Sequence, residues 1–91
     1  MNVKYKKTFL KDLHKLKGSE IYEHAVQLSF EILPRYENLH AVPNFKPLKN
    51  HRGRARIRLG QYRIGINIVA DGIELVRILH RREIYRYFPV K

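Results

Sequence analysis

Arg54, Arg56 and Arg58 recur at every second position, Arg63 follows five residues on, and a second cluster, His80, Arg81, Arg82 and Tyr85, comes two strand lengths later. A guanidinium presents a planar fork of donors that matches phosphate oxygens, and it does not lose its proton in proteins. Several brought together make a site for a phosphate and for the charge that grows on it during displacement. A neutral imidazole beside them could accept a proton, and a phenol could orient a planar ligand or move a proton once nearby cations lower its pKa. The five histidines, at 14, 24, 40, 51 and 80, show no metal-ligand spacing, and there is no cysteine. Neither a metal centre nor thiolate chemistry is expected, and no cofactor is implied. Over residues 54–58 alone, a solvated arginine face on an amphipathic strand would look the same; the register of the neighbouring strands decides between the two.

Ala55, Ile57 and Leu59 alternate with the arginines, a period of two that predicts a half-exposed strand. Gly60-Gln61 suits a two-residue turn into a strand over 62–69, and Asp71-Gly72 a second turn into a strand over 73–80. The first turn pairs Leu59 with Tyr62, setting Arg58 against Arg63, Arg56 against Gly65 and Arg54 against Asn67. The second pairs Ala70 with Ile73, setting Arg63 against His80, Gly65 against Ile78 and Asn67 against Val76. The expectation is a row of Arg58, Arg63 and His80 across three strands, with Arg56 and the bare backbone of Gly65 beside it. The opposite face collects Ala55, Ile57, Leu59, Ile64, Ile66, Ile68, Leu75 and Leu79. Arg58 beside Arg63 sets like charges together, which opposes folding unless an anion lies between them.

That apolar face needs a cover, and the first third of the chain supplies it. Val3 and Tyr5 alternate in a short first strand over 2–6. Thr8 is placed to cap a helix whose Phe9, Leu10, Leu13 and Leu16 share a face up to Gly18. Ser19 offers a second cap, with Ile21, Ala25, Leu28 and Ile32 on one face until Pro34 stops the run. Residues 34–53 form a long connection, with a strand beginning near Phe45 to Leu48. The resulting fold class is α+β: two N-terminal helices packed on one face of a small antiparallel sheet, in a single domain over 1–91.

With 19 Lys+Arg against 8 Asp+Glu in 91 residues, the net charge is +11. An excess this large in so short a chain favours nucleic acid, an anionic membrane or an acidic protein as partner. The N-terminus lacks the apolar run of a secretory signal, and no window approaches a membrane span, so a cytoplasmic location is expected.

Arg56-Ile57-Arg58-Leu59-Gly60-Gln61-Tyr62-Arg63-Ile64 and His80-Arg81-Arg82-Glu83-Ile84-Tyr85-Arg86 resemble the two signature segments of RelE-type toxins. Phe9 to Leu16 is similar to the family's first helix, and Pro47-Leu48-Lys49 to its approach to the sheet. This resemblance to the RelE/ParE family covers nearly the whole chain. It implies a toxin of a type II toxin–antitoxin system, held silent by an acidic, RelB-like antitoxin. In the RelE branch it implies metal-independent cleavage of mRNA in the ribosomal A site; in the ParE branch, non-enzymatic inhibition of DNA gyrase. A plain RNA-binding module is a third reading. The residues matching the RelE-branch site are Arg56, Arg58, Arg63, Arg81 and Tyr85. Lys46, Lys49, Arg54 and Arg82 extend the surface as candidate RNA contacts. Where the best-known members carry lysines, this chain has Arg56 and Arg58, which cannot act as bases. His80 is therefore the candidate base, with Tyr85 the second candidate for proton transfer.

Overall fold

The computed structural model describes residues 1–89. The expected tail over 81–91 thus extends, at Val90 and Lys91, outside the described residues. Strand β1 (Asn2–Tyr5) leads into helix α1 (Lys7–Lys15) and helix α2 (Glu20–Gln27). Next come β2 (Phe45–Pro47), β3 (Arg54–Leu59), β4 (Tyr62–Val69) and β5 (Gly72–His80), and a last short helix, α3 (Ile84–Tyr87). The sheet order is β1-β5-β4-β3-β2. The last three strands form the expected antiparallel meander and β2 extends it along β3, whereas β1 lies parallel to β5 and makes mixed a sheet expected to be antiparallel.

Both helices form where the apolar spacing places them, but their caps differ from expectation. Lys6 holds the N-cap position of α1, and the Thr8 hydroxyl instead donates to the Val76 carbonyl at 2.6 Å, tying α1 to β5. Ser19 does cap α2 by position, while its hydroxyl donates back to Leu16 O. After Gln27 the helix widens into a π turn over Leu28–Ile32 and tightens to a 3-10 turn at Leu33–Arg35, where Pro34 can no longer donate. Phe9, Leu13, Ala25 and Leu33 are buried against Ala55, Ile57, Ile64, Ile66, Ile73, Leu75 and Ile78. Burial of this apolar area is the main force holding helices to sheet. Ile68, expected on that face, stands 41% exposed towards the sheet's end.

The hairpin β3–β4 has the expected register: Leu59 faces Tyr62, Arg58 faces Arg63, Arg56 faces Gly65 and Arg54 faces Asn67. The hairpin β4–β5 does not. Val69 pairs with Gly72, so the loop is Ala70-Asp71 rather than Asp71-Gly72, and a bulge beside Gly65 and Ile66 leaves Val76 without a partner. Beyond that bulge every β5 side chain is on the face opposite to the one expected. Arg63 consequently faces Leu79, Gly65 faces Arg77, and His80 faces Tyr62. Asn67 pairs with Glu74 rather than Val76. Ile78 joins the main core, and Leu79 leaves it for the arginine side.

The arginine side is not bare. Leu79, Val76 and Leu48 form a second apolar cluster with Ile84 and Phe88 of the returning C-terminal segment. Gly65 makes this possible: a Cβ there would come within 2.5 Å of the Phe88 ring. Gly72 has a comparable role at the parallel edge, where an added Cβ would strike the Asn2 carbonyl.

Candidate functional site

The clean alternation of β3 carries Arg56 and Arg58 onto the face away from α1 and α2, and the regular β3–β4 ladder brings Arg63 beside them. Arg81 follows as β5 ends, its backbone N–H donating to Gln61 O at 2.8 Å, so the β3–β4 turn fixes the start of the tail. Together Asn44, Arg58, Leu59, Gly60, Gln61, Arg63 and Arg81 line an open groove. Among the described residues, no carboxylate lines it.

Carbonyl oxygens hold the guanidinium groups of Arg56, Arg58 and Arg63. Arg56 Nη1 donates to Asn44 O at 3.0 Å, and Arg58 Nη2 to Asn44 Oδ1 at 3.2 Å. Arg63 Nη1 donates to Gly60 O and Tyr62 O at 3.0 and 2.9 Å. Carbonyls orient a cation without cancelling its charge, so the groove stays positive and is preorganised for an anion. The guanidinium of Arg63 is pushed below its ordinary pKa, first by burial and then by Arg56, with Arg58 and Arg81 adding to the effect and the Tyr85 phenol opposing it. It remains protonated, and an anion in the groove would relieve the repulsion.

Arg58, Arg63 and Arg81 are thus gathered in one groove, Arg56 stands beside Arg58 on β3, and Tyr85 is carried, 54% open to solvent, on α3, which Ile84 and Phe88 seat on the same face of the sheet. His80 is not part of the row. The bulge turns it to the helix-covered face, where its ring meets Tyr62 edge-on at 5.7 Å and its Nδ1 accepts the Arg82 backbone N–H at 3.2 Å. The arrangement that made it a base beside Arg58 and Arg63 is absent. Lys46 pairs with Arg56 across β2–β3 and extends the basic surface. Lys49 and Arg54 lie at the other end of that hairpin from Arg58, and Arg82 is exposed just past β5.

Three contributors escaped the sequence reading. Asn44, in the left-handed conformation at φ 64°, anchors both Arg56 and Arg58 and accepts the Arg58 backbone N–H through the same carbonyl. The signal was the Pro43-Asn44 pair, since Asn tolerates that conformation better than most residues. Phe88 closes the second apolar cluster below α3. Arg77 is held by Asp12, the only ion pair among the described residues.

No helix among the described residues is long and apolar enough to cross a membrane. A family model described as the ParE toxin of type II toxin–antitoxin system, parDE, matches residues 3–85. A curated relative, Toxin RelE3 of Methanocaldococcus jannaschii, is 38% identical over 90 residues, spanning 98% of this chain and 100% of that protein. Among solved structures, the RelB–RelE antitoxin–toxin complex from Methanococcus jannaschii matches with a TM-score of 0.75 at 37% identity, over 94% of this chain and 99% of the other. The toxin–antitoxin complex RelBE2 from Mycobacterium tuberculosis matches with a TM-score of 0.68 at 29% identity, over 88% and 96%.

Proposed function

Because this chain belongs to the RelE/ParE family of type II toxins, we propose that it is a RelE-branch endoribonuclease that cuts mRNA in the ribosomal A site without a metal, and that an acidic RelB-like antitoxin silences it. The observation that carries this reading is the groove, free of carboxylates among the described residues, in which Arg58, Arg63 and Arg81 converge, with Arg56 beside Arg58 on β3 and Tyr85 exposed on α3 over the same face. A gyrase inhibitor has no need of such a phosphate site.

RNA brings its own nucleophile. The 2′-hydroxyl loses its proton and attacks the adjacent phosphorus, a phosphorane forms, and the 5′-oxygen leaves with a proton. The products are a 2′,3′-cyclic phosphate, which water opens to a 3′-phosphate, and a 5′-hydroxyl. Arg58 and Arg63 bind the phosphate and the charge that develops on it, while Arg56 and Arg81 stabilise the leaving oxygen. Tyr85 orients the base or moves the proton, and with His80 turned away it is the stronger candidate for the latter. Lys46, Lys49, Arg54 and Arg82 are proposed contacts to neighbouring RNA phosphates. The groove's uncompensated charge also suits the acidic antitoxin, which would close the substrate site as it binds.

Primer extension on cellular mRNA after brief induction, with plasmid supercoiling measured in parallel, tests the reading. Discrete new 5′ ends with unchanged supercoiling are expected. Altered supercoiling without cleavage would move the chain to the gyrase-directed branch.

A further inference from the structure

Tyr85 is carried over the arginine-bearing face of the sheet by α3, a helix of four residues, far too short to be stable alone in water. Ile84 and Phe88, one turn apart, plug into the apolar cluster with Val76, Leu79 and Leu48, and this fixes where the helix lies. Two plugs along one line leave a helix free to roll about that line. A roll would carry Tyr85 off the arginines, so something on the other flank must stop it.

Tyr87 lies two residues beyond Tyr85, about 200° around a helix, and therefore on that other flank. Its ring packs against the Arg77 guanidinium, with Cζ 5.1 Å from the ring centroid. The guanidinium is itself immobilised. Its Nε and Nη2 donate to the two oxygens of Asp12 at 2.7 and 3.0 Å, and Asp12, 4% exposed on α1, also accepts the Ile78 backbone N–H at 3.1 Å. The hydrogen bonds to Asp12 raise the pKa of Arg77 above its ordinary value, consistent with a charge kept in place by its partner.

We propose that Arg77, clamped by Asp12, is a positioning residue that sets the rotation of α3 through Tyr87 and so delivers Tyr85 to the arginine groove. This rests on the role given to Tyr85 above. Arg77 acts on α3 and not on substrate, so its effect must pass through Tyr85.

The test uses Tyr87→Leu, which removes the ring and leaves the Asp12–Arg77 pair intact, and Tyr87→Phe, which keeps the ring. Single-turnover mRNA cleavage is followed on programmed ribosomes over a range of ribosome concentrations, and the ring proton resonances of Tyr85 are recorded in the free toxin. Tyr87→Leu should lower the maximal cleavage rate roughly two- to fivefold, the size of one partly exposed cation–π contact, at unchanged half-saturation. Tyr87→Phe should restore it. Added to Tyr85→Ala, Tyr87→Leu should cost nothing further, and in the single variant the Tyr85 resonances should shift. Additive losses, or Tyr85 resonances unmoved by Tyr87→Leu, overturn the clamp. Full cleavage by Tyr85→Ala alone overturns the parent assignment of Tyr85 instead.

Discussion

Arg63 and Arg77 stand on adjacent strands of one sheet face, and their guanidinium groups meet opposite surroundings: backbone carbonyls in the first case, a buried carboxylate in the second. Their pKa values move in opposite directions accordingly. Burial and neighbouring arginines push Arg63 down, while Asp12 pulls Arg77 up. A cation neutralised by a carboxylate is spent on structure. One held by carbonyls keeps its charge for a ligand and leaves the fold to carry the repulsion.

The comparison breaks or holds on a graded set of variants. The largest effect on stability is expected from Asp12→Ala, which strands Arg77 and an N–H of β5; thermal or urea unfolding should show a loss of about 3 kcal/mol. Arg63→Ala and Arg81→Ala should give the converse result. Cleavage should fall by roughly two to three orders of magnitude, about 2.7–4 kcal/mol of transition-state stabilisation, with unfolding midpoints nearly unchanged. If Arg63→Ala melts as early as Asp12→Ala, the distinction between the two kinds of arginine collapses. Gly65→Ala should cost about 1–3 kcal/mol in the same unfolding measurement, because the new methyl meets the Phe88 ring at 2.5 Å. His80→Gln should leave cleavage close to wild type, since the ring is turned from the groove; a rate loss matching that of Arg63→Ala would restore it as the base. Smallest is Lys11→Ala on the exposed side of α1, within about 0.5 kcal/mol in unfolding and without effect on cleavage.

Arg58, Arg63 and their row were legible because Gly60-Gln61 makes a tight turn between two strands of strict alternation, where nothing but local chemistry sets the register. The β4–β5 hairpin was legible only in outline. Gly72 looked like a turn residue but is required by the close passage of β1, and the bulge at Val76 answers contacts from α1 and Phe88, far away in sequence. His80 was misplaced by that one extra residue. Asp12 did leave a trace: it lies with Phe9, Leu13 and Leu16 at helical spacing, and a carboxylate on an apolar face demands a partner. Which of the nineteen cations would answer it could not be read, because the pairing spans 65 residues.

The parallel pairing of β1 with β5 also bears on the order of folding. Strand β1 has its hydrogen-bonding partner some seventy residues downstream, with Asn2 set against Gly72. Helix α1 depends on the same distant strand, since Asp12 and Thr8 bond to Arg77, Ile78 and Val76 of β5. The local β3–β4 hairpin can form early, but contacts of such separation carry a large loop-closure cost and come late. A chain that has formed only that hairpin holds its arginines on an open surface, with α3 not yet seated on Val76 and Leu79. The groove and the tyrosine proposed to serve it are completed together, by the contacts that span the most sequence.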